Sequence, residues 1–260
     1  MDNARVAVIT GAGRLKGVGA ATARLLAQRQ INLVLNCLHE SDEIHQIAQE
    51  CRAFGIETEI YVADLTQEAH CIELAHFTQK KFNRVDSLIN CIGYSQPIAF
   101  DRIDLVETAL FEKVFQINTL APFMLAKAFH SALKASDDGV LINISSTAGL
   151  TGKSSSIPYS VAKGALNTLT LSLAQALSPH VRVNAVCPSF IDSSWWRDTF
   201  PDKEKYEALK ASAAARNLLH KALTPENVAI AILSIMDNSA MTGELIRLDA
   251  GAHIGIGNTK

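Results

Sequence analysis

No apolar run in this 260-residue chain approaches the ~20 residues that a helix needs to cross a bilayer. The 48% of residues that are hydrophobic are therefore expected to fill a core, and no membrane span is expected. There is no C-x-x-C, and the five cysteines (Cys37, Cys51, Cys71, Cys91 and Cys187) are odd in number and widely spaced, which argues against a disulfide framework and against a zinc site. The eight histidines include no H-E-x-x-H and no i,i+4 pair, so no protein-bound metal is expected. A formal net charge of −2 without a basic block leaves no electrostatic footprint for nucleic acid. Met1 to Arg5 leads straight into Val6 to Ile9 with neither a long hydrophobic segment nor a small-residue cleavage site, and a cytoplasmic location is the expectation.

What the chain does have is alternation. Short β-branched runs at Arg5 to Thr10, Asn32 to Cys37, Glu57 to Ala63, Ser87 to Cys91, Val140 to Ser145, Arg182 to Cys187 and Glu244 to Leu248 read as seven strands separated by helix-period segments. Several lack polar alternation, as strands do when helices cover both faces of a parallel sheet. The pattern predicts one α/β domain over residues 1–260 with a doubly wound, seven-stranded parallel sheet. Ser41 and Thr66 are placed to cap helices running to about Phe54 and Phe82. Asp104-x-x-Glu107 has the form of a capping box opening a long helix from Val106 to Ala135, with Pro122 inside it as a kink, and Pro225 after Thr224 starts a last helix.

The first strand is followed by Thr10-Gly11-Ala12-Gly13-Arg14-Leu15-Lys16-Gly17-Val18-Gly19, which opens a helix. Glycines admit a close backbone approach and the helix start offers free N–H groups, so this turn suits a dinucleotide pyrophosphate. The second strand ends Asn36-Cys37-Leu38-His39, without the carboxylate that would accept from ribose hydroxyls and repel a 2′-phosphate. Arg14 and Lys16 supply positive charge instead, which favours NADP(H) and leaves NAD possible, since Glu40, Asp42 and Glu43 follow closely.

Tyr159 and Lys163 stand four residues apart in a helix-compatible run and share a face. A neighbouring ammonium lowers a phenol pKa, which would make Tyr159 useful as an acid or base. The same spacing is also a common helical surface pair.

These landmarks, in this order, resemble the short-chain dehydrogenase/reductase family over nearly the whole chain. The family's glycine turn looks like Thr10 to Gly19, its adenine-contacting Asp like Asp64 in Ala63-Asp64-Leu65, and its Asn-Asn-Ala-Gly strand end like Asn90-Cys91-Ile92-Gly93. Its helix Asn matches Asn118, its catalytic Ser matches Ser146, and its Tyr-x-x-x-Lys matches Tyr159 and Lys163, thirteen residues from the serine to the tyrosine. The resemblance implies a Rossmann fold and a hydride-transfer site. In it Tyr159 exchanges a proton with the substrate oxygen, Ser146 hydrogen-bonds that oxygen, Lys163 lowers the phenol pKa and holds the nicotinamide ribose, and Asn118 holds a relay water. It further implies a dinucleotide site of Gly11, Arg14, Lys16, Gly17, Val18, Gly19, Asn36, Asp64, Leu65, Asn90, Gly93, Tyr159, Lys163, Pro188, Ile191 and Ser193. A substrate lid is implied at about 193–215, where Trp195, Trp196, Arg197, Phe200 and Tyr206 cluster, together with a homotetramer or homodimer built on the helices at Leu105 to Ala135 and Tyr159 to Leu177. The chain departs from the pattern in two extra residues before Gly17, in Cys91-Ile92, in Ser189 for Gly and in Ala250 for Gly. The expected activity is a carbonyl reductase or the reverse alcohol dehydrogenase acting on a small molecule. A 3-oxoacyl-carrier-protein reductase is the narrower alternative, and a dinucleotide-binding regulator without turnover is the alternative of another class.

Overall fold

Strand register here follows from which residues can be buried on two faces at once. The structure, a computed structural model, describes residues 4–199 and 202–255. Its strands are β1 (Val6–Thr10), β2 (Asn32–Cys37), β3 (Thr58–Val62), β4 (Ser87–Asn90), β5 (Gly139–Ile144), β6 (Val181–Pro188) and β7 (Leu245–Leu248), each within one residue of its expected limits. They form one sheet in the order β3-β2-β1-β4-β5-β6-β7, and every pairing is parallel. Side chains alternate between two apolar layers. Ala7, Ile9, Leu33, Leu35 and Ile142 pack under α1 (Val18–Gln28), α2 (Asp42–Arg52) and α10 (Pro225–Asp237). Val8, Val34, Leu88 and Leu141 pack under α3 (Glu68–Phe82), α5 (Ala121–Lys134) and α7 (Ile157–Leu177). No described helix is long and apolar enough to cross a membrane. The five cysteines are unpaired, and all but Cys91 are fully buried.

Local chemistry sets the helix ends, with two corrections to expectation. Ser41 Oγ accepts the Ile44 N–H, and Thr224 and Asn227 form a reciprocal capping box ahead of α10, as the sequence implies. Thr66 does not cap α3; its hydroxyl donates to Asp64 Oδ1 at 2.7 Å, and the helix starts after Gln67. Asp104-x-x-Glu107 is not a capping box either, because Asp104 pairs with Arg102 beside a short 3₁₀ turn at Ile103–Leu105. The long helix expected from there is divided into α4 (Thr108–Phe115), a π-helical turn at Gln116–Leu120, and α5. Pro122 explains the division: it has no N–H to give the Asn118 carbonyl, and the register shifts so that the Ala121 N–H bonds Gln116 O.

The order of strands reverses direction between β1 and β4, so a crevice opens there beyond the carboxyl ends. At the opposite end, buried Asp86 ties the sheet together, accepting from Val6 N at 2.7 Å, Arg84 Nη2 at 2.7 Å and Ser136 Oγ at 2.6 Å. Burial alone would raise its pKa, but these bonds outweigh it and hold the carboxyl below its ordinary value. A depressed folded-state pKa contributes stability that is present above the unfolded value and is lost as pH falls through the folded one. Asp86→Ala is expected to cost about 3 kcal/mol at pH 7 in urea unfolding, because Arg84 and the Val6 N–H lose a buried partner. The gap to wild type narrows below about pH 4.

Candidate active site

The carboxyl ends of β4, β5 and β6 bring together the residues that the sequence scattered. A buried polar ladder sets their spacing. Asn90 Nδ2 donates to Asn143 Oδ1 at 2.9 Å, Asn143 Nδ2 to Thr170 Oγ1 at 2.9 Å, and Ser145 Oγ to Asn167 Oδ1 at 2.6 Å, so β4 and β5 are keyed to the inner face of α7. Tyr159 and Lys163 lie in the first two turns of that helix, with the Lys163 Nζ 5.6 Å from the Tyr159 ring centroid. Lys163 is only 2% exposed, and its Nζ donates to Ile144 O at 2.8 Å. Ser146 follows β5, its hydroxyl donating to Pro188 O at 3.3 Å and accepting the Ala148 N–H that opens α6 (Ala148–Thr151). Ser95 Oγ and Ser155 Oγ, 2.6 Å apart, staple the segment after β4 to the approach to α7.

Burial dominates the electrostatics of the pair. Burial pushes the Tyr159 phenol up to about 12, and the nearby Ser146 hydroxyl draws it only partly back. Burial also pulls the neighbouring Lys163 ammonium down to about 8, against a smaller opposing influence of Cys187 and Cys91. The pair is a protonated phenol beside an ammonium that titrates near neutrality.

Several of the candidate side chains also hold backbone. Asn118 is completely buried; its Oδ1 accepts from Tyr94 N at 3.3 Å, and its Nδ2 donates to Tyr94 O at 2.7 Å and Val114 O at 2.8 Å, so its side chain fixes the segment after β4. Asn36 Nδ2 donates to Tyr61 O and Ala63 O, while its Oδ1 accepts from Gly11 N, which supports the glycine turn. Asn90 is turned into the ladder, and the Leu65 side chain lies in the core. Asp64 keeps its own turn through Oδ1.

The remaining candidates line the crevice. Gly11 is exposed at a φ of +64° that L-residues with side chains rarely adopt. Gly17 precedes α1 with no side-chain cap, which leaves the first N–H groups of Val18 and Gly19 toward the turn. A Cβ on Gly93 would stand 3.2 Å from Asn118 Oδ1 and 3.8 Å from Lys163 Nζ, so the absent side chain opens a cradle in front of the lysine. Bare backbone on both sides of the switch point, with a helix start between, fits a dinucleotide. The two extra residues of the glycine turn bulge as expected: Gly17 N bonds Arg14 O at 3.0 Å, Leu15 N bonds the Glu43 carboxylate, and Lys16 O accepts from Ser194 N at 3.2 Å. Arg14 pairs with Asp198.

Beyond Pro188, Ile191 makes a bridge with Leu223, and Ser193 leads into α8 (Ser194–Thr199) and α9 (Lys203–Ala215), the span expected as a lid. Phe200 lies outside the described residues. Trp195 and Trp196 are partly exposed, whereas Tyr206 is buried, with its hydroxyl on Asp192, and so packs the lid rather than the cleft. Asn143, Asn167 and Thr170 were missed from sequence; polar residues interrupting an apolar strand and helix face were the available signal.

Residues 5–204 match the family model described as short chain dehydrogenase. A cis-4-hydroxycyclohexanecarboxylate dehydrogenase of Sinomonas cyclohexanicum is 30% identical over 253 residues, covering 95% of this chain and 96% of that protein. A Streptomyces violaceoruber protein named as ketoacyl reductase 2 of the granaticin polyketide synthase is 28% identical, over 96% of this chain and 97% of its own. A crystal structure from Burkholderia xenovorans described as a short-chain dehydrogenase/reductase has a TM-score of 0.89 and 30% identity, covering 98% of this chain and 100% of that one.

The buried ammonium generates a stability prediction. Because the folded-state pKa of Lys163 is about 8 and lies below its ordinary value, the unfolded chain binds more protons between the two values, and stability attributable to Lys163 rises with pH there. Urea unfolding of wild type and Lys163→Met at pH 7, 8, 9 and 10 should show wild type gaining on the variant by about 1 kcal/mol per pH unit above pH 8.

Proposed function

The chain belongs to the short-chain dehydrogenase family, and on that premise we propose that it is an NADP(H)-dependent oxidoreductase that interconverts a carbonyl and an alcohol by hydride transfer. The observation that carries this reading is the convergence of Ser146, the protonated Tyr159 phenol and buried Lys163 beside the open Gly93 cradle. The dinucleotide supplies the hydride when bound. Tyr159 then gives its hydroxyl proton to the carbonyl oxygen as negative charge gathers there, and the Ser146 hydroxyl hydrogen-bonds the same oxygen. Lys163 compensates the phenolate that remains, and its bond to Ile144 O holds the ammonium in place. A phenol pushed up to about 12 holds its proton at neutral pH, ready to be given to the carbonyl oxygen.

The choice of NADP(H) rests on the absence of a carboxylate at the end of β2 and on Arg14 and Lys16 in the bulged turn. The Arg14–Asp198 pair is about half exposed on both sides, and pairs of this kind contribute at most about 1 kcal/mol, so a 2′-phosphate can displace Asp198 from the guanidinium. NAD(H) is the alternative, favoured by Glu43 beside the same turn. A 3-oxoacyl-carrier-protein reductase is the narrower reading, supported by the ketoacyl-reductase relative. A homotetramer or homodimer is supported by the exposed apolar Leu120, Phe123, Val161 and Leu171 on the helices assigned to the interface.

Ketones and alcohols screened by nicotinamide absorbance test the reading. Tyr159→Phe should lose about 10³-fold in kcat while binding NADPH as wild type does. A variant that keeps its turnover would support a different acid, and a wild type that binds nucleotide without turnover would be a regulator. A kcat/KM for NADPH below that for NADH would reverse the cofactor choice.

A further inference from the structure

No motif marks Asp192, yet its carboxylate is heavily engaged by side chains of the two helices that follow it. Its side chain is 14% exposed, and three donors converge on it: Lys210 Nζ at 2.6 Å, Arg197 Nη2 at 3.0 Å and the Tyr206 hydroxyl. Arg197 belongs to α8, whereas Tyr206 and Lys210 belong to α9, and the Arg197 guanidinium also lies 5.5 Å from the Tyr206 ring centroid. The backbone of Asp192 is itself fixed, its N–H donating to Leu223 O at 2.8 Å beside the Ile191–Leu223 bridge. One carboxylate thus fastens both lid helices to the body. Burial alone would raise its pKa, but Lys210, Tyr206 and Arg197 together bring it to about 2, so it stays charged throughout the working pH range.

What this fastening orients is aromatic. Phe190 leaves β6 two residues beyond Pro188, whose carbonyl accepts from the Ser146 hydroxyl and from Thr147 N at 2.9 Å. Its ring centroid is 5.3 Å from that of Trp196, and Trp195 meets Trp196 edge-on at 4.6 Å. All three rings are only partly buried, and such clusters offer large rigid apolar area.

We propose that Asp192 is a positioning residue that fixes the lid so that Phe190, Trp195 and Trp196 form one aromatic wall beside Ser146, selecting carbonyl substrates that carry a ring or a comparably bulky apolar group next to the carbonyl. The substrate half of this inference rests on the carbonyl-reducing reading above.

The test compares an aryl ketone, acetophenone, with a short linear one, 2-butanone, and reads the lid separately. Wild type should prefer acetophenone by about tenfold or more in kcat/KM, and Trp196→Ala should erase most of that preference. Asp192→Asn should raise the acetophenone KM by about fivefold with kcat and the NADPH KM within about twofold, and Asp192→Glu should recover part of the loss. Both tryptophans of the chain lie in α8, so intrinsic emission reports the lid directly. Asp192→Asn should shift emission to the red and increase acrylamide quenching, and Lys210→Met should do the same to a smaller degree should Asp192→Asn fail to fold. Emission and quenching unchanged in both variants would overturn the anchoring role. Equal effects on the two ketones, or a loss in kcat alone, would overturn the wall. If no ketone or alcohol is turned over with either nucleotide, the carbonyl reading fails and the wall's role with it, while emission still decides the anchor.

Discussion

The hydrogen-bonded ladder beneath the cleft is the constraint on which the rest of the site depends. A parallel sheet and a covering helix touch mainly through apolar side chains, and such contacts tolerate sliding better than directional bonds do. Asn90, Asn143 and Thr170, with Ser145 and Asn167, remove that freedom, because buried polar groups must meet partners in one register or lose them all. The ladder fixes α7 along and around its axis, and Tyr159 and Lys163 inherit that position. The raised phenol pKa and the lowered ammonium pKa follow from the same embedding, since groups held this deep cannot recover their hydration by moving outward.

Most of the architecture was legible because it depends on short-range pattern. Strand limits followed from apolar runs bounded by polar residues, and Ser41 and Thr224 revealed two helix starts because a cap needs only the next three residues. Expectation failed where competition decided. Thr66 had a nearer acceptor in Asp64, and Asp104 had Arg102. Asn36 and Asn90 sit at strand ends, and alternation along the strand turns both side chains inward, a distinction of one residue that position alone does not make. The partners of Asp192 are spread over α8 and α9, and only the i,i+4 spacing of Tyr206 and Lys210 hinted that two of them share a face.

The lengthened glycine turn joins parts of the molecule that a shorter one would leave apart. Its backbone meets α2 through Glu43 and α8 through Ser194, while Arg14 reaches Asp198. Each contact is modest, being partly exposed. Together they bring the glycine turn into direct contact with both α2 and α8.

The π-helical turn ahead of α5 also has a geometric consequence. One additional residue in a helical turn rotates everything after it by about 100° relative to an unbroken helix. Asn118 gains its inward aim within that turn, and the stripe of Leu125, Phe129 and Leu133 meets the sheet only because the rotation has already occurred. Proline at position 122 thereby acts as a phase-setter: excising a single residue between 116 and 120 would keep both halves helical yet swing Phe129 out of the interior.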